Sequence, residues 1–367
     1  MGSSLLAVGL MSGTSLDGID AALIETDGEG FVQPVAFRSE PYSEHARAEL
    51  RHAAAIARQY ERPRRGSSIV DAEKMLTQRH IEVVEGLLAS ADVPASKVDV
   101  VGFHGQTLAH RPERGWTWQI GDADAMARAL GIAVVSDFRG ADVAAGGQGA
   151  PLLPVYHRAL TAGLERPLAV LNLGGVGNIT WIGESADDLI AFDTGPGNGL
   201  IDDWVMAETG RRYDEGGALA AEGSIDEKVL AAMLDNPWFD ALPPKSLDRA
   251  DFTMHPAKGL SAADGATTLT AFTAATVALA LDHLPSSPRR LIVAGGGRHN
   301  ATLMAMIADA CDLRTEPIEA HGHNGDATEA EGFGYMAVRA LRRLPISFPG
   351  TTGVRAPNPG GVLTRPE

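Results

Sequence analysis

Cysteine is almost absent from this sequence, which has a single one, Cys311, among 367 residues. One thiol excludes a disulfide framework and a zinc site built from cysteines. Positive charge is also scarce, since 31 Lys and Arg stand against 47 Asp and Glu and the net charge is -16. Such a field repels nucleic acid and anionic membrane surfaces, so we expect neither as a partner. An anionic substrate would need a locally basic pocket.

Long apolar runs are missing as well. The N-terminal run has no basic residue before it and ends after seven residues in polar loop residues, unlike a secretory signal. No stretch reaches the ~18 consecutive apolar residues of a membrane span. With 44% apolar residues the chain can nevertheless fill two cores of ordinary size. We therefore expect a cytoplasmic protein with two domains.

Short apolar runs bounded by Gly or Asp alternate with helical stretches. Apolar residues at three- and four-residue spacing predict helices over 71–90 and 267–284. This alternation predicts an α/β protein with a central sheet. The predicted strands cover residues 5–11, 20–26, 98–103, 132–138, 168–175 and 291–297.

The two halves of the chain begin in a similar way. Each opens with a strand, a turn rich in Gly and small polar residues, and a second strand, which predicts two hairpins that face each other across one cleft. A connector at 160–167 separates the halves, so we place the domains at 1–163 and 164–345. Taken alone, the Pro/Gly-rich segment 346–367 is typical of a tail.

The first of these turns, GTSLDG, has the composition of a loop that wraps a phosphate, without the GK[ST] ending of a Walker A loop. Its glycines free the backbone to approach a ligand, and its hydroxyls can contact phosphate oxygens. Asp17 would repel a phosphate unless Mg²⁺ lay between them. A plain hairpin with Asp-Gly at its tip explains the turn equally well. The second turn, NLGGVGNIT (172–180), leaves the same two alternatives open.

Two further segments place a polar or flexible group directly after a strand. Asp193 precedes the turn TGPGN, which puts a carboxylate at the edge of a sheet where α/β proteins bind ligands, although an Asp that caps the turn is the alternative. The segment 293–300 is a strand, a glycine turn and a helix start. Such a turn lets a flat ring or a sugar pack against the backbone, but helix packing alone could also require its glycines.

Segments 102–112 and 136–154 carry more polar groups than a connector requires. His104 and His110 could ligate a metal, but no third ligand at suitable spacing is evident. Hydrogen bonding to a polar substrate fits these segments better. Arg139 is the best candidate to grip an anionic group with two parallel bonds, and a surface salt bridge is its alternative role.

Eleven motifs follow one another in a specific order: GLMSGTSLDGID, GFHGQTLAHRP, QIGDADAMA, SDFRGADVAAGGQGAPL, LNLGGVGNIT, FDTGPGNGLIDDW, DEGGALAAEG, PPKS, TLTAFTA, AGGGRHN and GDATEAEGFGYMA. Over residues 9 to about 340 the chain resembles the anhydro-N-acetylmuramic acid kinases. That family belongs to the sugar kinase, Hsp70 and actin superfamily. The resemblance implies an α/β fold of two duplicated actin-like (ribonuclease H-like) domains that flank an ATP cleft. The ending TTGVRAPNPGGVL is also similar to the family's, which implies that 346–367 packs back on the body.

The resemblance implies an enzyme of peptidoglycan recycling that converts ATP, water and 1,6-anhydro-N-acetylmuramic acid into ADP and N-acetylmuramic acid 6-phosphate. It also implies that Mg²⁺ accompanies ATP and that the protein is a homodimer. It does not indicate which residues bind the metal. Two departures from the family's usual motifs are visible: PPKSLDRADF replaces PPKSTGR, and GGVGNIT replaces GGIANIT. The first departure leaves Lys245 and Ser246 in place but changes the residues of the loop that follows, so the family's loop conformation does not carry over to it.

The resemblance assigns roles to individual residues by their position in the motifs. Asp193 matches the catalytic base. The ATP-binding matches are Gly13, Thr14, Ser15, Leu16, Asp17, Gly18, Ile19 and Asp20 in the first turn, Asn172, Gly174, Gly175 and Asn178 in the second, and Gly295, Gly296, Gly297 and Asn300 on the adenosine side. The sugar-binding matches are His104, Gln106, Thr107, Asp137 and Arg139, with Glu329 near the cleft.

Two other functions remain open from the sequence. An actin-like or Hsp70-like ATP switch would use the same cleft, but the polar segments 104–112 and 136–148 suit a small sugar better than a protein surface. A plain N-acetylhexosamine kinase would act on a free 6-hydroxyl.

Overall fold

The computed structural model describes residues 3–185, 187–247 and 251–366 and has a mixed α/β architecture with two sheets, as predicted. The chain divides into unit 1, residues 1–162 with 327–367, and unit 2, residues 163–326. Each unit has its own cluster of buried apolar side chains.

The strands include all six that the sequence predicts. They are β1 (Leu5–Ser12), β2 (Gly18–Thr26), β3 (Val32–Pro41), β4 (Val100–Arg111), β5 (Trp116–Ile120), β6 (Val134–Ser136), β7 (Leu168–Leu173), β8 (Val176–Ile182), β9 (Leu189–Pro196), β10 (Leu291–Ala294), β11 (Thr315–Pro317) and β12 (Val362–Thr364).

The two predicted helices form, with the second shifted by a few residues toward the N-terminus. The helices are α1 (Glu44–Ala57), α2 (Ser67–Ser90), α3 (Ala123–Leu130), α4 (Gly140–Ala144), α5 (Pro154–Leu160), α6 (Gly199–Thr209), α7 (Ala218–Glu222), α8 (Glu227–Leu234), α9 (Ala262–Leu281), α10 (Ala301–Cys311), α11 (Thr328–Leu341) and α12 (Pro349–Thr352).

The two sheets share one topology. In unit 1 the strand order is β12-β6-β4-β1-β2-β3, with β5 paired to β4, and in unit 2 it is β11-β10-β7-β8-β9. In both sheets the first strand forms an antiparallel hairpin with the second and pairs in parallel with the strand on its other side. The third strand continues the antiparallel meander. The internal duplication predicted from the two hairpin openings is therefore present in the strand order and directions.

Helix α11 lies on the sheet of unit 1, whereas the sequence-based division assigned residues 327–345 to the second half of the chain. Glycines on the sheet permit its close approach. A Cβ on Gly9 would meet the Ala330 carbonyl oxygen at 1.8 Å, and one on Gly102 would meet the Phe333 carbonyl oxygen at 2.2 Å. The helix packs across β1, β2 and β4, so its first turn comes beside the polar ends of these strands.

The C-terminal segment 346–366 packs on unit 1. Strand β12 pairs antiparallel with β6, and Ile346 N–H donates to the Asn358 carbonyl at 2.9 Å. Thr351 and Thr352 are buried. The Pro/Gly-rich composition thus reflects turns and a short edge strand.

Among the described residues, α9 is long and apolar enough by composition to cross a membrane, although the sequence analysis expected no such stretch. Its most apolar window is 72% buried within the structure. The helix packs against α6, α7, α8, α10 and β9 of its own unit, which accounts for its apolar surface.

Candidate active site

The turn between β1 and β2, residues 13–17, presents polar side chains to solvent. Thr14, Ser15 and Asp17 are exposed, and Leu16 between them is buried. Leu16 has a left-handed backbone conformation with φ 59°, which costs a residue other than glycine roughly 1–2 kcal/mol. Its N–H donates to the Gly13 carbonyl at 3.1 Å. The turn thus offers two hydroxyls and a carboxylate from a fixed backbone.

Neighbouring elements anchor this first glycine turn. Tyr42 N–H donates to the Asp17 carbonyl at 3.0 Å, and Arg47 Nε donates to the Leu16 carbonyl at 3.0 Å. Both carbonyls therefore have hydrogen-bond donors within the protein, and these bonds fix the backbone below the exposed side chains.

Gln106 of β4 joins this hairpin to the next strand of the sheet. Its Oε1 accepts from Ser12 Oγ at 2.6 Å, and its Nε2 donates to the Gly13 carbonyl at 3.2 Å. Ser12 Oγ also lies 2.8 Å from the Tyr42 hydroxyl, and Ser12 and Gln106 are both buried. The amide of this predicted sugar-binding residue is therefore engaged at both ends by the hairpin.

Buried His104 forms a pair with half-buried Arg139. His104 Nδ1 donates to the Gly105 carbonyl at 2.8 Å, and its Nε2 accepts from Arg139 Nε at 3.2 Å and Nη2 at 3.1 Å. Burial, and then the charge of Arg139, hold the pKa of His104 well below its usual value. The imidazole is therefore neutral, with its proton on Nδ1, and serves as an acceptor for the guanidinium.

Arg139 is surrounded by acidic and carbonyl groups of unit 1. Its Nη1 donates to the Gly149 carbonyl at 2.8 Å. Burial lowers the pKa of Arg139 to about 10, and the charges of Glu329 and Asp142 oppose that shift. Glu329 lies in the first turn of α11, the helix that packs closely on Gly9 and Gly102 of the sheet. The guanidinium stays charged, and two carboxylates are near enough to act on its charge.

Asp137 and Thr107 are the next two predicted sugar ligands, one in each polar segment. Asp137 is exposed, has φ 50°, and accepts from Gly140 N–H at 3.1 Å. A left-handed Asp at the end of a strand is a strained conformation of the kind found at functional sites. Thr107 Oγ1 accepts from Gln119 Nε2 at 3.1 Å.

Asp142 has a role that sequence reasoning missed. It is buried, its Oδ2 accepts from Gly149 N–H at 2.6 Å, and its Oδ1 accepts from Thr352 Oγ1 at 2.7 Å. The carboxylate thus fixes the loop whose Gly149 carbonyl binds Arg139. An Asp just before a glycine-rich stretch was the available signal, but its partner in the C-terminal segment lies 210 residues away.

The turn between β7 and β8 is the second glycine turn, Gly174 and Gly175. Both of its carbonyls accept from the start of the segment after β9: Asn198 N–H donates to Gly174 at 2.8 Å, and the N–H groups of Gly197 and Gly199 donate to Gly175 at 3.2 Å. A Cβ on Gly197 would lie 2.3 Å from the Gly174 carbonyl oxygen. Two glycine-rich motifs separated in sequence therefore form one interlocked structure.

The third glycine segment joins the same edge of the sheet. Gly295 has φ 78°, and a Cβ on it would lie 2.5 Å from Asn172 Oδ1. A Cβ on Gly297 would lie 2.6 Å from the Leu173 side chain. The two glycine motifs predicted for nucleotide binding in unit 2 and the glycine turn after Asp193 thus converge at the ends of β7, β9 and β10.

Gly296 and Asn300 occupy different surroundings in this third segment. Gly296 is exposed. Asn300 is buried, and its Oδ1 accepts from Leu303 N–H at 2.9 Å, so the side chain caps α10.

Asp193 lies on β9, opposite Asn178 of β8, whose other neighbour is Asn172 of β7. Its N–H donates to the Lys245 carbonyl at 3.0 Å, and its Oδ2 accepts from Leu247 N–H at 2.8 Å. Burial raises the pKa of Asp193 to about 7, partly offset by the bond from Leu247. A carboxylate with this pKa accepts a proton near neutral pH far more readily than an ordinary Asp.

A sequence profile of the anhydro-N-acetylmuramic acid kinases matches residues 5–365. The chain belongs to the anhydro-N-acetylmuramic acid kinase family. It is accordingly an enzyme of the kinase class, from a family involved in peptidoglycan recycling.

Two relatives that bear the family's name align over almost their whole length. The chain is 71% identical to the anhydro-N-acetylmuramic acid kinase of Rhizorhabdus wittichii, over 99% of this chain and 100% of that protein. It is 54% identical to the enzyme of that name from Zymomonas mobilis, over 98% of this chain and 99% of that protein.

The solved structures that resemble this one are much less similar in sequence. Component A of (R)-2-hydroxyglutaryl-CoA dehydratase from Acidaminococcus fermentans is 10% identical with a TM-score of 0.49, over 92% of this chain and 99% of that chain. A ROK hexokinase from Thermus thermophilus is 13% identical with a TM-score of 0.42, over 92% of this chain and 100% of that chain.

Groups that could ligate a metal were sought in the part of the chain that the structure describes. Within residues 3–185, 187–247 and 251–366, no three or more His, Cys, Asp or Glu side chains are placed to hold one ion. Both ring nitrogens of His104 and of His110 are in hydrogen bonds within the protein. The departure from PPKSTGR falls partly on residues 248–250, outside the described residues.

Proposed function

We propose that this enzyme uses ATP and water to open the 1,6-anhydro ring of 1,6-anhydro-N-acetylmuramic acid and to phosphorylate O6. The products are ADP and N-acetylmuramic acid 6-phosphate. The observation that carries the proposal is the carboxylate of Asp193, whose pKa burial raises to about 7 and whose backbone setting fixes it at the glycine-rich edge of unit 2. Such a group is suited to take a proton from water.

The anhydro ring dictates an unusual kinase mechanism. O6 is already bonded to C1, so no free hydroxyl is available to attack the γ-phosphorus. In the proposed reaction Asp193 accepts a proton from water, and the water oxygen bonds to C1 while the C1–O6 bond breaks. O6 forms its new bond to the γ-phosphorus as the bond from that phosphorus to the ADP oxygen breaks. The proton on Asp193 later passes to solvent.

One carboxylate suffices in this scheme. Glycoside hydrolysis ordinarily needs a second carboxylic acid to protonate the leaving oxygen. Here the phosphoryl group captures the charge that develops on O6, so the acid becomes unnecessary. Positioning and charge neutralisation then supply most of the catalysis of phosphoryl transfer.

The glycine turns are the proposed ATP ligands. The exposed hydroxyls of Thr14 and Ser15 suit phosphate oxygens, and Gly174 and Gly175 leave the second turn free of side chains. The third segment, at 295–297, would contact adenosine. Mg²⁺ typically takes one or two carboxylates together with phosphates and water. The exposed carboxylate of Asp17 fits such a donor set, through water, and the ion would neutralise phosphate charge there.

Arg139 is the proposed anion-binding group of the sugar site. Its Nε and Nη2 rest on His104, and Glu329 is close enough to act on its charge. A guanidinium held in this way can present its remaining N–H groups to the lactyl carboxylate of the sugar. Asp137 and Thr107 stay predictions as sugar ligands, as do the cytoplasmic location and the homodimer.

A coupled ADP-release assay tests the proposed function. It would compare 1,6-anhydro-N-acetylmuramic acid, N-acetylglucosamine and no sugar. We expect ADP release only with the anhydro-sugar. Release with N-acetylglucosamine would indicate a hexosamine kinase, and sugar-independent phosphate release would indicate an ATP switch; either result would reject the proposal.

A further inference from the structure

Lys245 lies beside the proposed base, since its carbonyl accepts from Asp193 N–H at 3.0 Å. Its Nζ donates to the Phe239 carbonyl at 2.9 Å and to the Trp238 carbonyl at 3.4 Å. The same ammonium lies 4.4 Å from the centroid of the Trp238 ring. Charge-assisted bonds to carbonyls and a cation–π contact are stronger than their neutral counterparts, so they hold this side chain firmly.

The backbone of residues 245–247 makes two hydrogen bonds to Asp193, one to its main chain and one to its side chain. The Lys245 carbonyl accepts from Asp193 N–H, and two residues later Leu247 N–H donates to Asp193 Oδ2. The short run 245–247 therefore lies beside β9 and brackets one residue of it. Among the described residues, Leu247 N–H is the hydrogen-bond donor to this carboxylate.

We propose that Lys245 is a positioning residue for the reaction: its ammonium fixes the run 245–247, and that run orients the carboxylate of Asp193. The proposal rests on Asp193 as the base. Lys245 itself touches neither substrate nor the reacting atoms in this scheme.

The bond from Leu247 favours the charged form of the carboxylate. It is the interaction that opposes burial in setting the pKa of Asp193. If the run 245–247 loosens, the carboxylate loses this donor, its pKa rises further, and its side chain gains rotational freedom. Loss of the clamp should therefore cost more activity at low pH than at high pH.

The principal test compares Lys245→Met, which keeps the length of the side chain without its charge, with Lys245→Arg, which keeps the charge. Lys258→Met is the matched control, because Lys258 is an exposed lysine of the same unit. Two readouts are needed: the ¹³C NMR titration of the Asp193 carboxylate, assigned by its absence in Asp193→Asn, and the pH profile of kcat/KM.

For Lys245→Met we expect the Asp193 titration and the acid limb of kcat/KM to move up by about half a pH unit or more, since one hydrogen bond to the charged form is lost. Lys245→Arg should keep a titration close to that of the wild type, and Lys258→Met should show no shift. Leu247→Pro removes the same N–H without altering Lys245, so it should shift the titration in the same direction even if Lys245→Met folds poorly.

The outcomes separate this proposal from the proposed function. An unshifted carboxylate titration in Lys245→Met and Leu247→Pro, with activity lowered equally at every pH, would overturn the positioning role. A shifted titration with an unshifted kinetic limb would show that the run 245–247 orients the carboxylate but would reject Asp193 as the base, and with it a role of Lys245 in the reaction.

Discussion

At the scale of single residues, Asp193 connects the structure to a pH profile. Its carboxylate must be unprotonated to accept a proton from water, and burial raises its pKa to about 7. We expect kcat/KM to fall about tenfold for each pH unit below that value and to level off above it. The profile with 1,6-anhydro-N-acetylmuramic acid checks this, and a flat profile down to pH 5 would contradict it.

Asp193→Asn tests the same residue by a different quantity, the stability of the fold. The pKa of this Asp is higher in the folded than in the unfolded protein, where it is about 3.9. The folded protein therefore binds more protons between about pH 4 and pH 7, so the carboxylate's contribution to stability falls as pH rises and is most unfavourable above pH 7. Asn carries no such penalty.

We therefore expect Asp193→Asn to unfold at a higher temperature than the wild type at pH 8, while turnover falls roughly 10²- to 10⁴-fold. Its advantage in unfolding free energy should shrink by about 2 kcal/mol at pH 5, where the wild-type group is protonated in the fold. Thermal unfolding at the two pH values measures this. A variant less stable than the wild type at pH 8 would show that the carboxylate is not held unfavourably.

Arg139→Lys tests the sugar-side anchor. Lysine cannot donate both to His104 Nε2 and to the Gly149 carbonyl while it also presents a planar pair of N–H groups to an anion. We expect the KM for sugar to rise roughly tenfold, about 1.4 kcal/mol, with little change in the KM for ATP. Exposed Arg128 gives the control variant Arg128→Lys. Equal changes in both KM values would return Arg139 to a structural role.

At the scale of elements, the interlocked glycine motifs of unit 2 make a steric prediction. Gly197→Ala would place a methyl 2.3 Å from the Gly174 carbonyl oxygen, so the second glycine turn must move. We expect the KM for ATP to rise about tenfold or more, since backbone close to phosphates tolerates little displacement. Gly163→Ala is the control, because a Cβ there meets nothing within 4 Å. An unchanged KM for ATP in Gly197→Ala would remove this turn from the ATP site.

The sequence predicted elements best where local pattern and packing agree. The hairpins around residues 13–17 and 174–175 could be predicted because apolar strands end in glycine-rich turns. Strand β3 was not predicted, since its sequence VQPVAFRSEP contains no continuous apolar run and many of its residues are exposed. Helix α11 was assigned to the wrong unit because its packing on Gly9 and Gly102 depends on contacts more than 200 residues apart, which local pattern does not contain.

The same limit applies to the candidate site. The motifs indicated Asp193, Arg139 and the glycine segments as candidates, because their residue types already suggest chemistry. They did not reveal that the Gln106 amide bonds to the first hairpin, that Asn300 caps α10, or that Asp142 reaches Thr352. Each of these is a hydrogen bond chosen among several acceptors, and only the assembled fold determines which one forms.

At the scale of the whole molecule, the proposed reaction requires water, sugar and ATP to react together. The central claim is that water attacks C1 while O6, with its original oxygen, receives the phosphoryl group. A conventional kinase would incorporate no water oxygen, and an ATPase would place it in the released phosphate. The fate of that oxygen therefore distinguishes the mechanisms without any mutation.

The most direct measurement is the wild-type reaction in ¹⁸O-labelled water, with the products analysed by mass spectrometry at early times, before the anomeric hydroxyl exchanges with solvent through the open-chain aldehyde. The account predicts one ¹⁸O in the hydroxyl at C1 of N-acetylmuramic acid 6-phosphate and none in its phosphate. Label in the phosphate ester, or an unlabelled C1 hydroxyl at the earliest times, would contradict it.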